Sequence, residues 1–238
     1  MIKAVLFDLD GTLLPMDQDV FVKTYFSLLA KHLAPCGYEA QKLVAAIWDG
    51  TKAMVKNTGE VTNEEAFWRR FCEIFGEDAR LDEPHFARFY ATQFQKVQSV
   101  CGFDPMAAQA VRAIKEMGLR VTLATNPIFP AMATESRIRW AGLAPEEFEG
   151  YTTYENSCFC KPNLRYYEKI LKDLELQPEE CLMVGNDADE DMVTAQLGME
   201  VFLLTPCLIN RGGSDISCYP NGDFADLMAF IKERNNQV

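Results

Sequence analysis

Positive charge is scarce in this sequence of 238 residues. Lys and Arg number 23 against 35 Asp and Glu, which gives a formal net charge of -12 at pH 7. Such a field repels a nucleic-acid backbone, so we do not expect a nucleic acid as the main partner. A small anionic substrate is compatible with this composition, because it needs one local cation and a metal ion rather than a basic surface.

Long apolar runs are also missing. No segment approaches the ~18 consecutive apolar residues of a membrane span. Asp8 interrupts the apolar run at residues 4–7, which is too short for a secretory signal peptide. We therefore expect a cytoplasmic protein without a membrane partner. Apolar residues still make up 48% of the chain, which is enough for a packed core.

The cysteines and histidines give no metal motif. Eight cysteines are scattered along the chain, and without a secretory signal we interpret them as reduced. Cys158 and Cys160 form a Cys-x-Cys pair, but no second Cys or His pair lies close by in sequence to complete a zinc site. We expect His32 and His85 to be surface or packing residues rather than catalytic ones.

Short apolar runs that alternate with amphipathic helices indicate the fold class. Residues 4–7 form a continuous apolar run that ends at Asp8, which is typical of a parallel strand covered on both faces. Further strands are expected at residues 121–124, 181–184 and 201–204, with helices between them. This alternation implies right-handed crossovers, so the expected fold is α/β, a doubly wound parallel sheet with a Rossmann-like core.

A helical block interrupts the alternation. From about residue 17 to about residue 100, apolar residues recur at three- and four-residue steps in four stripes. The second stripe, expected to face the interior, is Val44, Trp48, Thr51 and Val55. We expect residues 16–101 to form a smaller all-helical cap domain, inserted into a core of residues 1–15 and 102–238.

Polar residues follow the predicted strands. Asp8 and Asp10 come after the first strand, Thr125 and Asn126 after the second, and Asp187 shortly after the third. In open α/β sheets, ligands bind beyond the carboxyl ends of the strands. We therefore expect these five side chains to lie at one edge of the sheet.

Three carboxylates at one edge would repel one another. Each pair at ~4 Å costs about 4 kcal/mol at an effective dielectric constant near 20. A Mg²⁺ ion, which proteins bind through carboxylates together with substrate phosphate, removes this cost. Asp8, Asp10 and Asp187 are therefore the expected metal ligands. The structural alternative is that Asp10-Gly11 is only a turn and that Asp189 to Asp191 only occupy a helix N-terminus.

The motifs occur in the order Phe7-Asp8-Leu9-Asp10-Gly11-Thr12, Thr125, Lys161-Pro162 and an acidic fourth motif. Together they resemble the haloacid dehalogenase (HAD) superfamily over the whole chain, and the first motif is the specific part. The resemblance implies a phosphatase whose helical cap is inserted between the first and second motifs. A dehalogenase would lack the second acid, so Asp10 favours phosphoryl transfer.

The resemblance implies a role for each motif residue. Asp8 is the nucleophile, and its attack on phosphorus gives an aspartyl-phosphate. Asp10 is the general acid and then the general base, and touches the metal through its backbone carbonyl. Thr125 and Asn126 bind the phosphoryl oxygens, and Lys161 balances the charge on Asp8 and the phosphate.

The fourth motif departs from the family's commonest form. The usual acidic residue directly after glycine is here Asn186, and Asp187 follows. We expect Asp187 to be the third metal ligand and Asp191 its partner, but the sequence leaves open whether Asn186, Asp187 or Asp191 binds the metal.

The expected function is Mg²⁺-dependent hydrolysis of the phosphate monoester of a small metabolite. The alternatives are a phosphotransferase or phosphomutase on the same fold, a non-enzymatic scaffold protein, and a dehalogenase. A scaffold is disfavoured because Asp8 and Asp10 are both present. The sequence does not identify the substrate, the cap residues that select it or the oligomeric state.

Overall fold

A parallel sheet of five strands forms the centre of the computed structural model, which describes residues 1–236. The strands are β1 (Ala4–Phe7), β2 (Arg120–Leu123), β3 (Cys181–Gly185), β4 (Glu200–Leu204) and β5 (Asn221–Gly222). The helices are α1 (Gln18–Leu33), α2 (Ala40–Val55), α3 (Asn63–Phe75), α4 (Glu83–Ala91), α5 (Pro105–Glu116), α6 (Ala131–Trp140), α7 (Leu164–Leu174) and α8 (Phe224–Asn236). The expected α/β fold with a Rossmann-like core is confirmed.

The strand order is β2-β1-β3-β4-β5, and all neighbouring strands are parallel. Phe7 at the end of β1 is in register with Leu123 of β2 and with Val184 of β3. These three strands therefore end level with one another. The residues that follow them meet at one edge of the sheet, where ligands bind in such folds.

Helices cover both faces of the sheet. Alternate residues of a strand point to opposite faces, so Val5 and Phe7 pack into one apolar cluster while Ala4 and Leu6 pack into the other. All four residues of β1 are fully buried. This explains why the strand is a continuous apolar run rather than an alternating one.

Residues 16–101 contribute no strand to the sheet within the described chain, and helices α1 to α4 lie in this block. Helices α2 and α3 pack closely at Gly50, where a Cβ would lie only 2.5 Å from the Phe67 ring. The apolar interior of the block continues into the core: Phe94 stacks on Trp140 of α6 with ring centroids 5.2 Å apart. No helix within residues 1–236 is long and apolar enough to cross a membrane.

The two connections between block and core run side by side. Met16 and Cys101 form an isolated antiparallel bridge, and the Gly102 N–H donates to the Pro15 carbonyl at 2.7 Å. The first connection follows β1, and the second directly precedes α5. The domain boundaries remain a prediction, but the chain enters and leaves the block at one place.

Asn63, the first residue of α3, also joins the block to the core. It is fully buried, and its Nδ2 donates to the carbonyls of Pro127 at 3.1 Å and Phe159 at 3.3 Å. Its backbone N–H donates to the Ser157 carbonyl at 2.7 Å. A single amide side chain therefore binds the loops that follow β2 and precede α7.

The expected buried face of α2 is wrong. Trp48 and Val55 are 44% and 48% exposed, and the buried residues of the helix are Leu43, Ala46, Ile47, Gly50 and Met54. The interior stripe is shifted by one residue because the tight contact with α3 centres on Gly50. Trp48 and Val55 instead face a cavity between the block and the strand ends.

Candidate active site

Asp8 lies directly after β1 and is nearly buried, at 8% exposure. Its Oδ1 accepts a hydrogen bond from Lys161 Nζ at 2.8 Å, and its Oδ2 accepts from Thr12 Oγ1 at 3.0 Å. Lys161, 2% exposed, also donates to Asp191 Oδ1 at 2.6 Å. A buried ammonium group thus links the carboxylates that follow β1 and β3.

The charges of this triad depend on one another. Burial acts to lower the pKa of Lys161, but the Asp191 and Asp8 carboxylates outweigh it and hold the pKa of Lys161 well above its usual value. Burial also raises the pKa of Asp191 to about 6, although Lys161 opposes this shift. Lys161 is therefore a permanent positive charge beside Asp8.

Asp10 forms an ion pair with Arg137, a residue of α6 whose side chain is completely buried. The guanidinium carbon of Arg137 lies 4.4 Å from the centre of the Phe129 ring, and its Nε donates to the Ala133 carbonyl at 3.2 Å. Burial raises the pKa of Asp10, while Arg137 acts to lower it and Asp8 adds to the rise. Within residues 1–236, the buried Asp10 Oδ1 has no hydrogen-bond partner.

The sequence motifs do not identify Arg137 as a site residue. The signal that points to it is its place in α6 among the buried residues Ala133, Ile138 and Trp140, where an arginine needs an anionic partner. The sequence could not show that this partner is Asp10, because 127 positions separate the two residues.

Thr125 and Asn126 follow β2, as the sequence predicts. The Thr125 carbonyl accepts hydrogen bonds from Thr152 Oγ1 at 2.7 Å and from the Tyr166 hydroxyl at 2.8 Å. Asn126 Nδ2 donates to Glu190 Oε2 at 3.0 Å. Burial raises the pKa of Glu190 to about 7, with Lys161 acting in the opposite direction.

The two polar residues of the fourth motif point in different directions. Asn186 is buried, with its Oδ1 accepting from Thr12 Oγ1 at 2.9 Å and its Nδ2 donating to the Cys207 carbonyl at 2.7 Å. Asp187 instead turns one oxygen to the N–H groups of the next turn, at 2.8 Å from the Asp189 nitrogen. Asn186 therefore lies closer to the hydrogen-bond network of Asp8.

Gly11 makes room for Asn186. Its φ is +88°, and a Cβ at this position would lie 2.3 Å from Asn186 Nδ2. Any larger residue would strain the backbone and push this amide away from Thr12. The glycine of the first motif thus allows the first and fourth motifs to touch.

The expected cluster of three carboxylates is not closely assembled. Among the described residues, the carboxylate oxygens of Asp8, Asp10 and Asp187 do not all lie within 4.8 Å of one another. Asp8 Oδ2 and Asn186 Oδ1 both lie within hydrogen-bond distance of the Thr12 hydroxyl, at 3.0 and 2.9 Å. The third ligand therefore remains a prediction.

The chemistry of the site fits a hard divalent cation. Three carboxylates, Asp8, Asp10 and Asp191, share two buried cations, Lys161 and Arg137. A bound phosphate group would add further negative charge. The available donors are carboxylate and amide oxygens, which are the ligands that Mg²⁺ takes in proteins.

A cavity of about 400 Å³ lies over these residues. Asp8, Asp10, Asn126 and Asn186 line it from the core, and the helical block contributes Phe21, Val22, Trp48 and Val55. An apolar recess of about 90 Å³ adjoins it and shares Val22, Trp48, Ile128 and Phe129. The cavity is therefore polar at the strand ends and apolar beneath the helices.

The order of the strands, the aspartates after β1 and the buried lysine define a hydrolase core of one recognisable class. Residues 2–197 match a family model described as haloacid dehalogenase-like hydrolase. The chain belongs to this family. The expected superfamily and the expected class of enzyme, a hydrolase of this family, are confirmed.

Individual relatives are distant. The chain is 26% identical over 212 residues to mouse acyl-CoA dehydrogenase family member 10, covering 83% of this chain but only 17% of that protein's length. It is 24% identical over 241 residues to glyceraldehyde 3-phosphate phosphatase of Methanothermobacter thermautotrophicus, covering 91% of this chain and 95% of that protein.

A solved structure shows the same fold. The 2-haloacid dehalogenase of Pseudomonas syringae pv. Tomato DC3000 superposes with a TM-score of 0.65 at 17% identity, covering 98% of this chain and 99% of that one. At this identity the likeness concerns the fold and not the reaction.

Proposed function

We propose that this chain hydrolyses the phosphate monoester of a small metabolite, with Mg²⁺ and through an aspartyl-phosphate on Asp8. The observation that carries the proposal is the position of Asp8: it lines the cavity while a fully buried Lys161 lies 2.8 Å from its Oδ1. A carboxylate held in this way can face an anionic substrate. The similarity to the glyceraldehyde 3-phosphate phosphatase of Methanothermobacter thermautotrophicus supports a small phosphorylated substrate.

In the first step, a carboxylate oxygen of Asp8 attacks phosphorus and the bond between phosphorus and the leaving oxygen breaks. Asp10 gives its proton to that oxygen. The burial that raises the pKa of Asp10 supports this role, because it favours the protonated carboxyl. The backbone and hydroxyl of Thr125 would hydrogen-bond the phosphoryl oxygens.

In the second step, a water molecule attacks the phosphorus of the aspartyl-phosphate. Asp10, now a carboxylate, takes a proton from the water, and the bond between phosphorus and Asp8 breaks. Asp8 and inorganic phosphate are released. Lys161 stays charged throughout and stabilises the negative charge on Asp8 and on the transferred group.

The metal ligands that we propose are the Asp8 carboxylate, the Asp10 carbonyl and Asn186 Oδ1. We prefer Asn186 to Asp187 because its oxygen shares the Thr12 hydroxyl with Asp8, whereas Asp187 caps a turn. A bound Mg²⁺ supplies charge neutralisation at the phosphoryl oxygens.

The cavity restricts the substrate. Lys161 and the metal balance the reacting phosphate, and among the cavity-lining residues of the described chain Arg211 is the only lysine or arginine. Trp48 and Phe129 line both the cavity and the apolar recess. We propose a phosphate monoester whose remaining part presents apolar surface to Trp48.

We also propose that residues 16–101 act as a cap. The two connections to the core meet at the Met16–Cys101 bridge, close to the first motif, so movement at this point would open the cavity above Asp8. A closed cap excludes bulk water and completes the pocket, as lids commonly do.

A cytoplasmic location is part of the proposal. All eight cysteines are free, which is typical of proteins in a reducing compartment. Separating cytoplasmic from secreted material in the source cells, with detection of the chain in each fraction, tests this point.

The function is tested by phosphate release from a panel of phosphorylated metabolites and from p-nitrophenyl phosphate. We expect release with Mg²⁺, none with EDTA, and a loss of about 10³-fold or more in Asp8→Asn. Asp189→Asn is the matched control, because Asp189 is an exposed acid near the site. A scaffold protein would release no phosphate, and activity of Asp8→Asn within tenfold of the parent would remove Asp8 from its role.

A further inference from the structure

The helical block brings together a cysteine, an aspartate and a histidine. Cys36 ends the 3₁₀ segment after α1, Asp82 ends the 3₁₀ segment before α4, and His85 lies in the first turn of α4. Their sulfur, carboxylate oxygen and imidazole nitrogen all lie within 4.8 Å of one another. Within residues 1–236, this is the only group of three or more such side chains.

The spacing of these atoms is close to that of a metal site. Ligand atoms about 2.0–2.3 Å from a tetrahedrally coordinated zinc ion lie roughly 3.3–3.8 Å from one another. The three ligand atoms, all within 4.8 Å of one another, therefore reach a common ion with movements of about 1 Å. Cys36 and Asp82 are partly buried and His85 is exposed, so an ion can reach them from solvent.

The orientation of Asp82 is not explained by the helix that it precedes. Asp82 occupies the N-cap position of α4 but makes no capping hydrogen bond. Its Oδ2 instead accepts from the Tyr38 hydroxyl at 2.7 Å. A ligating carboxylate that is itself hydrogen-bonded is a recurrent feature around metal ions in proteins.

The Asp82 carboxylate is not already paired with a positively charged side chain of the described residues. No lysine or arginine of the described residues forms an ion pair with Asp82. His32 Nε2 lies 3.1 Å from the His85 carbonyl, which ties the end of α1 to the start of α4. The backbone at both sides of the cluster is thus fixed.

We propose that Cys36, Asp82 and His85 form a Zn²⁺ site in the helical block, separate from the phosphatase site. A donor set of one sulfur, one nitrogen and one oxygen selects Zn²⁺ over Mg²⁺, which takes oxygen ligands. Three protein ligands leave a fourth position for water. The bound ion would join the end of α1 to the start of α4 and stabilise the block.

The test uses the full-length protein, first stripped of metal. We expect one Zn²⁺ per chain in competition with a chromophoric chelator, and Co²⁺ in its place to show a thiolate-to-metal charge-transfer absorption. Cys36→Ser should remove this absorption, and Cys36→Ser and His85→Gln should each weaken Zn²⁺ binding at least tenfold. Zn²⁺ should raise the Tm of the parent more than that of either variant.

Two control variants test whether Zn²⁺ binds elsewhere. Cys218→Ser changes an exposed cysteine, and Asp8→Asn disables the proposed phosphatase nucleophile. Both should keep the Zn²⁺ stoichiometry and the Co²⁺ absorption. The proposal is overturned if the parent binds no Zn²⁺, or if Cys36→Ser and His85→Gln bind it as the parent does.

Discussion

Arg137, completely buried in α6, forms an ion pair with Asp10, the residue proposed to give and take the proton. The arginine is itself held by the Ala133 carbonyl and by the face of Phe129. Arg137 therefore fixes the orientation of the Asp10 carboxyl group. Burial raises the pKa of Asp10, and the charge of Arg137 acts in the opposite direction.

Arg137→Met should slow the release of alkoxide leaving groups more than that of p-nitrophenolate. An alkoxide needs a well-placed proton donor, a contribution of about 10²–10⁴-fold, whereas p-nitrophenolate leaves without one. We expect kcat to fall by about 10²-fold for alkyl phosphates and by less than about tenfold for p-nitrophenyl phosphate. A series of substrates with different leaving-group pKa values measures this. Equal losses across the series would contradict a positioning role.

The same substitution should lower stability. Removing one partner of a buried ion pair typically costs about 3–5 kcal/mol, and the Asp10 side chain is 22% exposed, so we expect about 3 kcal/mol. Asp10→Asn combined with Arg137→Met should recover part of this loss, because no charge is then left alone. Arg139→Met, on the exposed face of α6, is the matched control. Urea denaturation of the four proteins gives the comparison.

The Mg²⁺ concentration that phosphate release requires distinguishes Asn186 from Asp187 as the third metal ligand. Asn186→Asp places a carboxylate where the amide oxygen faces Thr12, so we expect half-maximal activity at about tenfold lower Mg²⁺. Asp187→Asn keeps an acceptor for the turn that Asp187 caps, and we expect less than a threefold change. Mg²⁺ titrations of phosphate release measure both. The reverse pattern would make Asp187 the ligand.

Trp48→Ala should weaken the binding of substrates with an apolar body. The indole lines both the cavity and the apolar recess, and its loss removes about 1–2 kcal/mol of apolar contact. We expect KM for naphthyl phosphate to rise about tenfold with little change in kcat, and KM for acetyl phosphate to stay the same. Leu81→Ala alters another exposed apolar residue and should change neither value. A uniform rise for both substrates would exclude Trp48 as a selectivity residue.

Glu190 should make stability depend on pH. Burial raises its pKa from 4.5 to about 7. Its protonated form therefore contributes stability that is complete below pH 4.5 and is lost as the pH rises through about 7. Glu190→Gln keeps an oxygen for Asn126 and cannot ionise.

We expect Glu190→Gln to exceed the parent in free energy of unfolding by about 1–3 kcal/mol above about pH 8, and to match it below about pH 4. Urea denaturation at several pH values, with EDTA present, measures the difference. Glu179→Gln, on the surface, should follow the parent at every pH. A constant difference at all pH values would mean that Glu190 does not ionise in this range.

The sequence predicts the sheet well because its strands are buried on both faces. A strand such as β1 must be apolar throughout, so the run from Ala4 to Phe7 and the polar residue that ends it are both visible. The meeting of Asp8 with Thr125 at one edge then follows from parallel pairing alone. The motif order made the family recognisable.

Contacts between distant segments could not be predicted in this way. The periodicity of α2 allowed two adjacent faces, and only the close approach of Gly50 to Phe67 decides between them. The direction of Asn186 depends on the space that Gly11 leaves, which no local pattern shows. The sequence favours a surface or packing role for His85, because its neighbour in the fold, Cys36, lies far away in sequence.

The hydrogen bonds of Asn63 limit the exchange of the helical block between this protein and its relatives. Its side-chain amide donates hydrogen bonds to the carbonyls of Pro127 and Phe159, which belong to the core and not to the helical block. Each buried carbonyl left without a donor costs about 1–3 kcal/mol. A block transplanted from a relative without an amide at this position would leave both carbonyls unsatisfied. Chimeras of this protein will fold well only if position 63 and the two core loops are exchanged as one set.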